Sequence, residues 1–250
     1  MKNLKLAAVC LSCLTMTGCS ALNFSVEGLI NAPKLTSEQS EIHQALIESV
    51  GSNITLKYPK NGEYRSAYVI ANIDDEPTDE AMVFYEYTSN GSEEDGLRVN
   101  ILDKDEDGKW YSVKELAGAG TDIDQVIISP MGSNNQTDVF VGYQNLTNDE
   151  KTMEIYSYTD GDFKRVALDT YSVLEPLDIN NDGYIELITI QRSTNNDTGA
   201  VTAKASMLNM KNNEITRGEN VDMCDNVTSY VSSKTGMLDS GRRAIFIDGL

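Results

Sequence analysis

From Asn53 onward the chain consists of short apolar or alternating runs, separated by clusters of Asn, Asp, Gly and Ser. A two-residue alternation turns successive side chains to opposite faces of a strand, and polar clusters of this kind supply turns, so the pattern restricts most of the chain to β structure. The spacing predicts strands over 54–58, 66–73, 81–87, 97–102, 110–113, 125–129, 139–143, 153–158, 163–168, 172–177, 186–191, 200–209, 227–232 and 244–247. Asp107-Gly108 and Asp160-Gly161 fall between paired runs. Both residue types tolerate positive φ, so these pairs are predicted to be tight hairpin turns.

Ahead of the strands the pattern is helical. Thr36 followed by Gln39 makes a capping-box pattern, and Ile42, Ala45, Leu46 and Val50 share one face until Gly51 ends the run. One amphipathic helix is expected over 37–50, packing against or capping the strands, with His43 on its surface.

The strands recur as a unit in which an acidic or Asn-rich loop is followed by a strand opened by an acid. Copies run from Ile73 to Glu80, from Ser129 to Asp138 and from Leu177 to Glu186, and a fourth from Gly236 to Arg243 precedes 244–247. The openers Glu80, Asp138 and Glu186 recur at roughly 50–60 residues, a period that suits one four-stranded propeller blade per repeat. The loop and strand at Leu177 to Gln191, with the pattern Asp-x-Asn-x-Asp-Gly-x-x-Glu, resemble the FG-GAP/VCBS-type repeats of bacterial β-propellers. The expected fold is therefore mainly β: a propeller-like array of about four four-stranded blades over 51–250, behind one helix. Such propellers have six to eight blades, and the chain ends at Phe246-Ile247-Asp248-Gly249-Leu250, in what reads as mid-blade. A truncated array is expected.

The resemblance also implies metal binding. Asp178, Asn180, Asp182 and Glu186 place four oxygen-bearing side chains around Gly183, with the Tyr184 carbonyl between them, and calcium takes six to eight oxygens. In the repeats it resembles, the matching positions bind calcium. An EF-hand is excluded because its twelfth position would be Thr189. Asp103, Asp105, Asp107 and Gly108 imitate the start of such a loop, but Lys109 and Lys114 follow, and the segment reads as a solvated hairpin turn. The first loop carries Pro77 in place of the glycine and the second has almost no carboxylates, so both are expected to be structural.

The N-terminus carries a different signal. Lys2 and Lys5 precede an apolar stretch from Leu6 to Leu14, a secretory leader layout about half the length of a membrane-spanning helix. Leu14-Thr15-Met16-Thr17-Gly18-Cys19-Ser20 follows and resembles the lipobox of bacterial lipoproteins, with Met16 where leucine is usual. The resemblance implies cleavage after Gly18, acylation of Cys19 with palmitate-type chains, and a tether over 19–36 on the outer face of a bacterial membrane. Acyl chains contribute about 0.8 kcal/mol per buried methylene, so two or three anchor firmly. No long apolar stretch follows, so the mature chain is expected to have no transmembrane helix.

Composition narrows the function classes. Formal charge is -19, made still more negative by loss of Lys2 and Lys5. With no basic stripe to offset that charge, nucleic acid is not an expected partner. His43 is the only histidine, which removes the usual parts of a Ser-His-Asp triad, a histidine zinc site or haem ligation. Cys10, Cys13 and Cys19 lie in the leader region, leaving Cys224 without a disulfide partner. It is expected to be a half-buried small hydrophobe. Ala117-Gly118-Ala119-Gly120 lacks the lysine of a phosphate loop and reads as a turn. Phe84, Tyr85, Tyr87, Tyr143, Tyr156 and Tyr158 are expected in the core between blades rather than on a sugar-binding surface. No catalytic set is visible. The sequence points to a lipid-anchored binding or scaffolding module of the cell envelope with a structural calcium loop, the alternative being an extracellular carbohydrate-active enzyme that uses carboxylates on one propeller face.

Overall fold

Apolar side chains that alternate along a strand give a sheet two buried faces only when something packs on each, and that requirement organises this molecule into layers. The computed structural model describes residues 35–88, 96–131, 136–145, 150–178, 183–199, 201–211, 214–218, 221–222, 230–237 and 243–249. The leader, Cys19, Cys224, Asn180 and Asp182 lie outside the described residues.

Helix α1 (Ser37–Val50) matches its expected limits and buries Ile42, Ala45 and Leu46. Gly51, at φ +85, donates its N–H to the Ile47 carbonyl at 2.9 Å, the left-handed cap that glycine adopts without a steric penalty. His43 departs from expectation. It is half-buried, and its Nδ1 lies 2.8 Å from the hydroxyl of Tyr68. No helix among the described residues is long and apolar enough to cross a membrane.

The strands form antiparallel sheets. The first contains β1 (Ile54–Leu56), β2 (Tyr68–Ala71), β3 (Glu80–Tyr87), β4 (Leu97–Lys104) and β5 (Trp110–Ala117), with β1 and β2 both pairing β3. The second is β6 (Asp122–Ser129), β7 (Asp138–Gln144), β8 (Lys151–Thr159) and β9 (Asp162–Tyr171), paired in chain order. The third orders β10 (Val173–Leu177), β11 (Glu186–Thr194), β12 (Val201–Lys211) and β13 (Glu214–Arg217), while β14 (Val221–Asp222) pairs β12. A last, two-stranded sheet pairs β15 (Tyr230–Met237) with β16 (Arg243–Gly249). The architecture is mainly β. Short β13 and β14 had no counterpart among the predicted strands.

Three apolar cores lie between these layers. On β3, Ala81, Val83 and Tyr85 face α1 with Ile42 and Leu46, whereas Met82 and Phe84 face the second sheet with Val139, Val141 and Tyr143 of β7. The opposite face of the second sheet, with Phe140, Met153 and Ile155, packs on Leu187 and Leu208 of the third. Each fully buried Leu, Ile or Phe in these layers contributes about 1.5–3 kcal/mol. Phe84, Tyr143 and Tyr156 are buried between the first two sheets with Tyr158 packed against them, whereas Tyr85 and Tyr87 belong to the core between β3 and α1.

Three of the expected loop-strand units share one register. Ala71 pairs Glu80, Ser129 pairs Asp138 and Leu177 pairs Glu186, so connections 72–79, 130–137 and 178–185 have the same length and each is closed by an acid opening the second strand. The fourth expected copy differs, because Met237 pairs Arg243 across a shorter connection with no acid at the opening position.

Both expected hairpin turns form. Asp160 and Gly161 have φ 55 and 75 between paired Thr159 and Asp162. Asp107-Gly108 joins β4 to β5, and Asp105 Oδ1 accepts the N–H groups of Asp107 and Lys109 at 3.0 and 2.9 Å. That carboxylate is engaged by its own turn. Ala117-Gly118-Ala119-Gly120 links the first two sheets, and its glycines serve a close approach: a Cβ on Gly118 would meet Tyr143 at 2.9 Å.

Candidate functional site: a cleft shared by three sheets

The first strand of the second sheet carries a bulge. Ile123 pairs Tyr143 and Gln125 pairs Gly142, which leaves Asp124 as an extra residue without a cross-strand partner. A bulge bends the strand and re-aims a side chain. Here it leaves Asp124 only 1% exposed, at the floor of a cleft of about 610 Å³.

Three sheets supply the walls. The loop between β1 and β2 leaves the first sheet and runs along β6, where Lys60 N and Asn61 N donate to the carbonyls of Ile123 and Asp124 at 3.1 and 2.7 Å. It brings Asn61 and Gly62 to the cleft. The second sheet adds Asp124, Gln125, Gln144 and Lys151, and the third adds Val173, Leu174, Glu175, Pro176 and Arg192. No aromatic side chain lines it among the described residues.

The Asp124 carboxylate is heavily engaged. Oδ1 accepts from Asn61 Nδ2 and from Lys151 Nζ, each at 2.8 Å, and Oδ2 accepts the Tyr171 hydroxyl at 2.7 Å. A buried charge requires such partners, since desolvation costs several kcal/mol per ion. Lys151 Nζ also lies 5.6 Å from the Tyr171 ring centroid. Burial and the adjoining Asp124 carboxylate push the Tyr171 phenol far above its ordinary range, so it remains a donor. Gly142 makes this possible, because a Cβ there would collide with the Tyr171 hydroxyl.

A second set of buried acids opens β3 and β7. Glu80 Oε2 accepts the N–H of Ile73 at 2.8 Å and Asp138 Oδ2 accepts that of Met131 at 3.1 Å, in each case seven residues upstream. The acid openers therefore latch the start of the preceding loop to the start of the strand. Desolvation raises the pKa of both, that of Glu80 to about 7.

The loop expected from the sequence to hold calcium is described only at its ends. Gly183 has φ +89, and its N–H donates to Asp178 Oδ2 at 3.1 Å. Glu186 opens β11, and Tyr184 lies between Gly183 and Glu186. Asn180 and Asp182 are outside the described residues. Among the described residues no three His, Cys, Asp or Glu side chains converge as metal ligands.

Of the residues singled out in the sequence, none lines the cleft. Asp124, Lys151 and Arg192 are scattered along the chain, and only the break in the β6 pattern, where Asp124 and Gln125 interrupt Ile123 and Val126, marks the bulge. Compared with family models, with curated proteins and with solved structures, the chain matches none.

Proposed function

We propose that the chain is an envelope-anchored binding or scaffolding module: exported, held on the outer face of a bacterial membrane by lipid on Cys19, and built as a propeller-like array of sheets. The nearly identical register of three successive acid-closed connections supports the array. Helix α1 covers the face of the first sheet turned away from the second, so it acts as an end cap on the stack. Calcium held by Asp178, Asn180, Asp182, Glu186 and the Tyr184 carbonyl serves as a structural staple, neutralising acids that would otherwise repel one another. The ion has no part in binding.

The observation that carries the binding role is the cleft, where residues from three sheets meet over a bulge. What supports binding over turnover is the state of its buried carboxylate, Asp124. Asp124 is saturated by a cation, an amide and a hydroxyl, whereas a general acid or base needs a face open to its substrate. The buried acids with raised pKa, Glu80 and Asp138, are latches that tie each loop to its own strand, away from the cleft lining.

The test is a thermal-shift screen of the full chain against envelope oligosaccharides and short peptides, repeated on Asp124→Asn. A ligand that binds only N must raise the melting temperature. A shift lost in the variant, without turnover of the ligand, is the expected result. Turnover of an oligosaccharide would replace this proposal by the carbohydrate-active alternative. In the same instrument, calcium is expected to raise the melting temperature over chelator, and Asp182→Ala to abolish that rise. Labelling with palmitate, lost in Cys19→Ala, tests the anchor.

A further inference from the structure

Two cations line the cleft, and their commitments differ. Lys151 is paired with Asp124 at 2.8 Å. The Arg192 guanidinium makes no ion pair among the described residues, and its Nε is buried without an acceptor. The backbone around it is secured, because Arg192 N donates to Ser172 Oγ at 3.1 Å and Ser172 N to the Ile190 carbonyl at 2.9 Å. A hydrogen-bonded strand thus carries a guanidinium whose buried Nε donor has no partner among the described residues.

We infer that the cleft binds an organic carboxylate, received by the guanidinium of Arg192; this rests on the cleft being the binding site. A planar guanidinium matches a carboxylate by two parallel N–H···O bonds, which a lysine cannot reproduce. The lining disfavours other classes. It carries Asp124 and Glu175 against Lys151 and Arg192, so its formal charge is balanced within a chain of -19. A phosphate dianion would meet two carboxylates and an unfavourable long-range field, whereas a monoanion needs a single uncommitted cation. A neutral sugar would find no aromatic face. Val173, Leu174 and Pro176 form an apolar wall for the rest of the ligand, and Gln144 adds an amide beside it.

The carboxylate has two possible sources, a free small acid or the carboxyl terminus of a peptide. The probes are acetate, N-acetyl-dialanine and the C-terminal amide of N-acetyl-dialanine, titrated into the full chain while the Arg192 Nε–H resonance is followed. The expected result is saturable binding of the dialanine acid, at least tenfold weaker binding of its amide, and loss of that preference in Arg192→Gln and Arg192→Lys at unchanged melting temperature. The lysine variant keeps the charge, so it separates the fork from simple attraction. Acetate competing with the same dependence on Arg192 identifies a free small acid; acetate without effect identifies a peptide terminus. Equal binding of acid and amide overturns the inference and leaves the cleft as a site for another ligand. Absence of any Arg192 Nε–H shift with all three probes also overturns it, and the broader screen with Asp124→Asn then decides separately whether the cleft binds anything.

Discussion

The latches of the first and second sheets occupy the same register, yet their carboxylates meet different partners. Asp138 is 1% exposed and fully supplied: Oδ2 takes the Met131 N–H and Oδ1 the hydroxyl of Ser157, which stands directly opposite it on β8. Glu80 is equally buried, but only Oε2 is bonded, by Ile73 N–H, and Oε1 has no donor. Continuing the β3–β4 pairing puts Asp103 where the second sheet has Ser157. Burial raises both acids, and Asp74 and Asp103 add to the rise at Glu80, bringing it to about 7. The same backbone register thus holds both latches, while the cross-strand residue changes what the carboxylate meets: a hydroxyl donor at Asp138, a second carboxylate at Glu80.

The largest effect is expected from Asp138→Ala. It removes the acceptor for two donors, and Met131 N–H and Ser157 O–H are left buried at about 1–3 kcal/mol each, less any relaxation. A loss of about 3 kcal/mol in urea unfolding is expected. A loss below about 1 kcal/mol would mean that the latch is not structural. Ser157→Ala turns the Asp138 latch into a copy of the one at Glu80, with a single donor. It should cost about 1–2 kcal/mol near neutral pH and push the Asp138 pKa up further, so that the cost shrinks as the pH falls. A cost independent of pH would break the equivalence of the two latches.

Glu80 itself predicts a pH dependence with a definite sign. Its folded pKa of about 7 lies above the ordinary glutamate value of 4.5, so folding favours the protonated acid. The contribution is fully present below about pH 4.5 and is lost as pH rises through about 7, by an amount on the order of 1–3 kcal/mol after allowing for solvent relaxation. Glu80→Gln keeps an acceptor for Ile73 N–H and removes the titration. The difference in unfolding free energy between wild type and Glu80→Gln should therefore change across pH 5–8, with the variant gaining relative stability toward pH 8. A difference that stays constant over this range would place the Glu80 titration elsewhere.

Much of this was legible before any coordinates, and the boundary has physical causes. Helix α1 and the long strands follow from periodicity, which records burial against one neighbour. The acid openers were visible as repeat marks because the latch is local, closing a loop between residues seven apart. The cleft was not legible. Asn61 reaches Asp124 only because the β1–β2 loop abandons its own sheet, and Arg192 reaches the same space through sheet stacking. No spacing rule records such convergence. β13 and β14 escaped because Glu214-Ile215-Thr216-Arg217 and Val221-Asp222 are too short to establish an alternation. His43 was misjudged for a related reason. Its position flanks the apolar face, and only the arrival of Tyr68 from β2 gives the ring a partner.

The smallest expected effect, and the sharpest test of the comparison, is Asp103→Ser. The substitution gives the first sheet the hydroxyl that the second already has and removes a carboxylate that raises the Glu80 pKa. Two consequences should follow together: a lower Glu80 pKa and a gain of about 0.5–1 kcal/mol near pH 7, the usual net worth of one hydrogen bond. The gain is reduced by what Asp103 now does, since its Oδ1 accepts the Lys104 N–H at 2.6 Å, a bond that a serine hydroxyl can replace only in part. Longer reach also separates the two acids, because glutamate sits one methylene farther from its strand than aspartate, and the serine hydroxyl is short. Carbon-detected NMR of the Glu80 carboxyl through pH 4–8, with urea unfolding at pH 5 and pH 7.5, measures both quantities. A midpoint that falls while stability at pH 7.5 rises would establish the cross-strand residue as the control of the latch. An unchanged midpoint would assign the raised pKa to desolvation and Asp74 without Asp103, and the cross-strand residue would then matter only through the extra donor at Asp138.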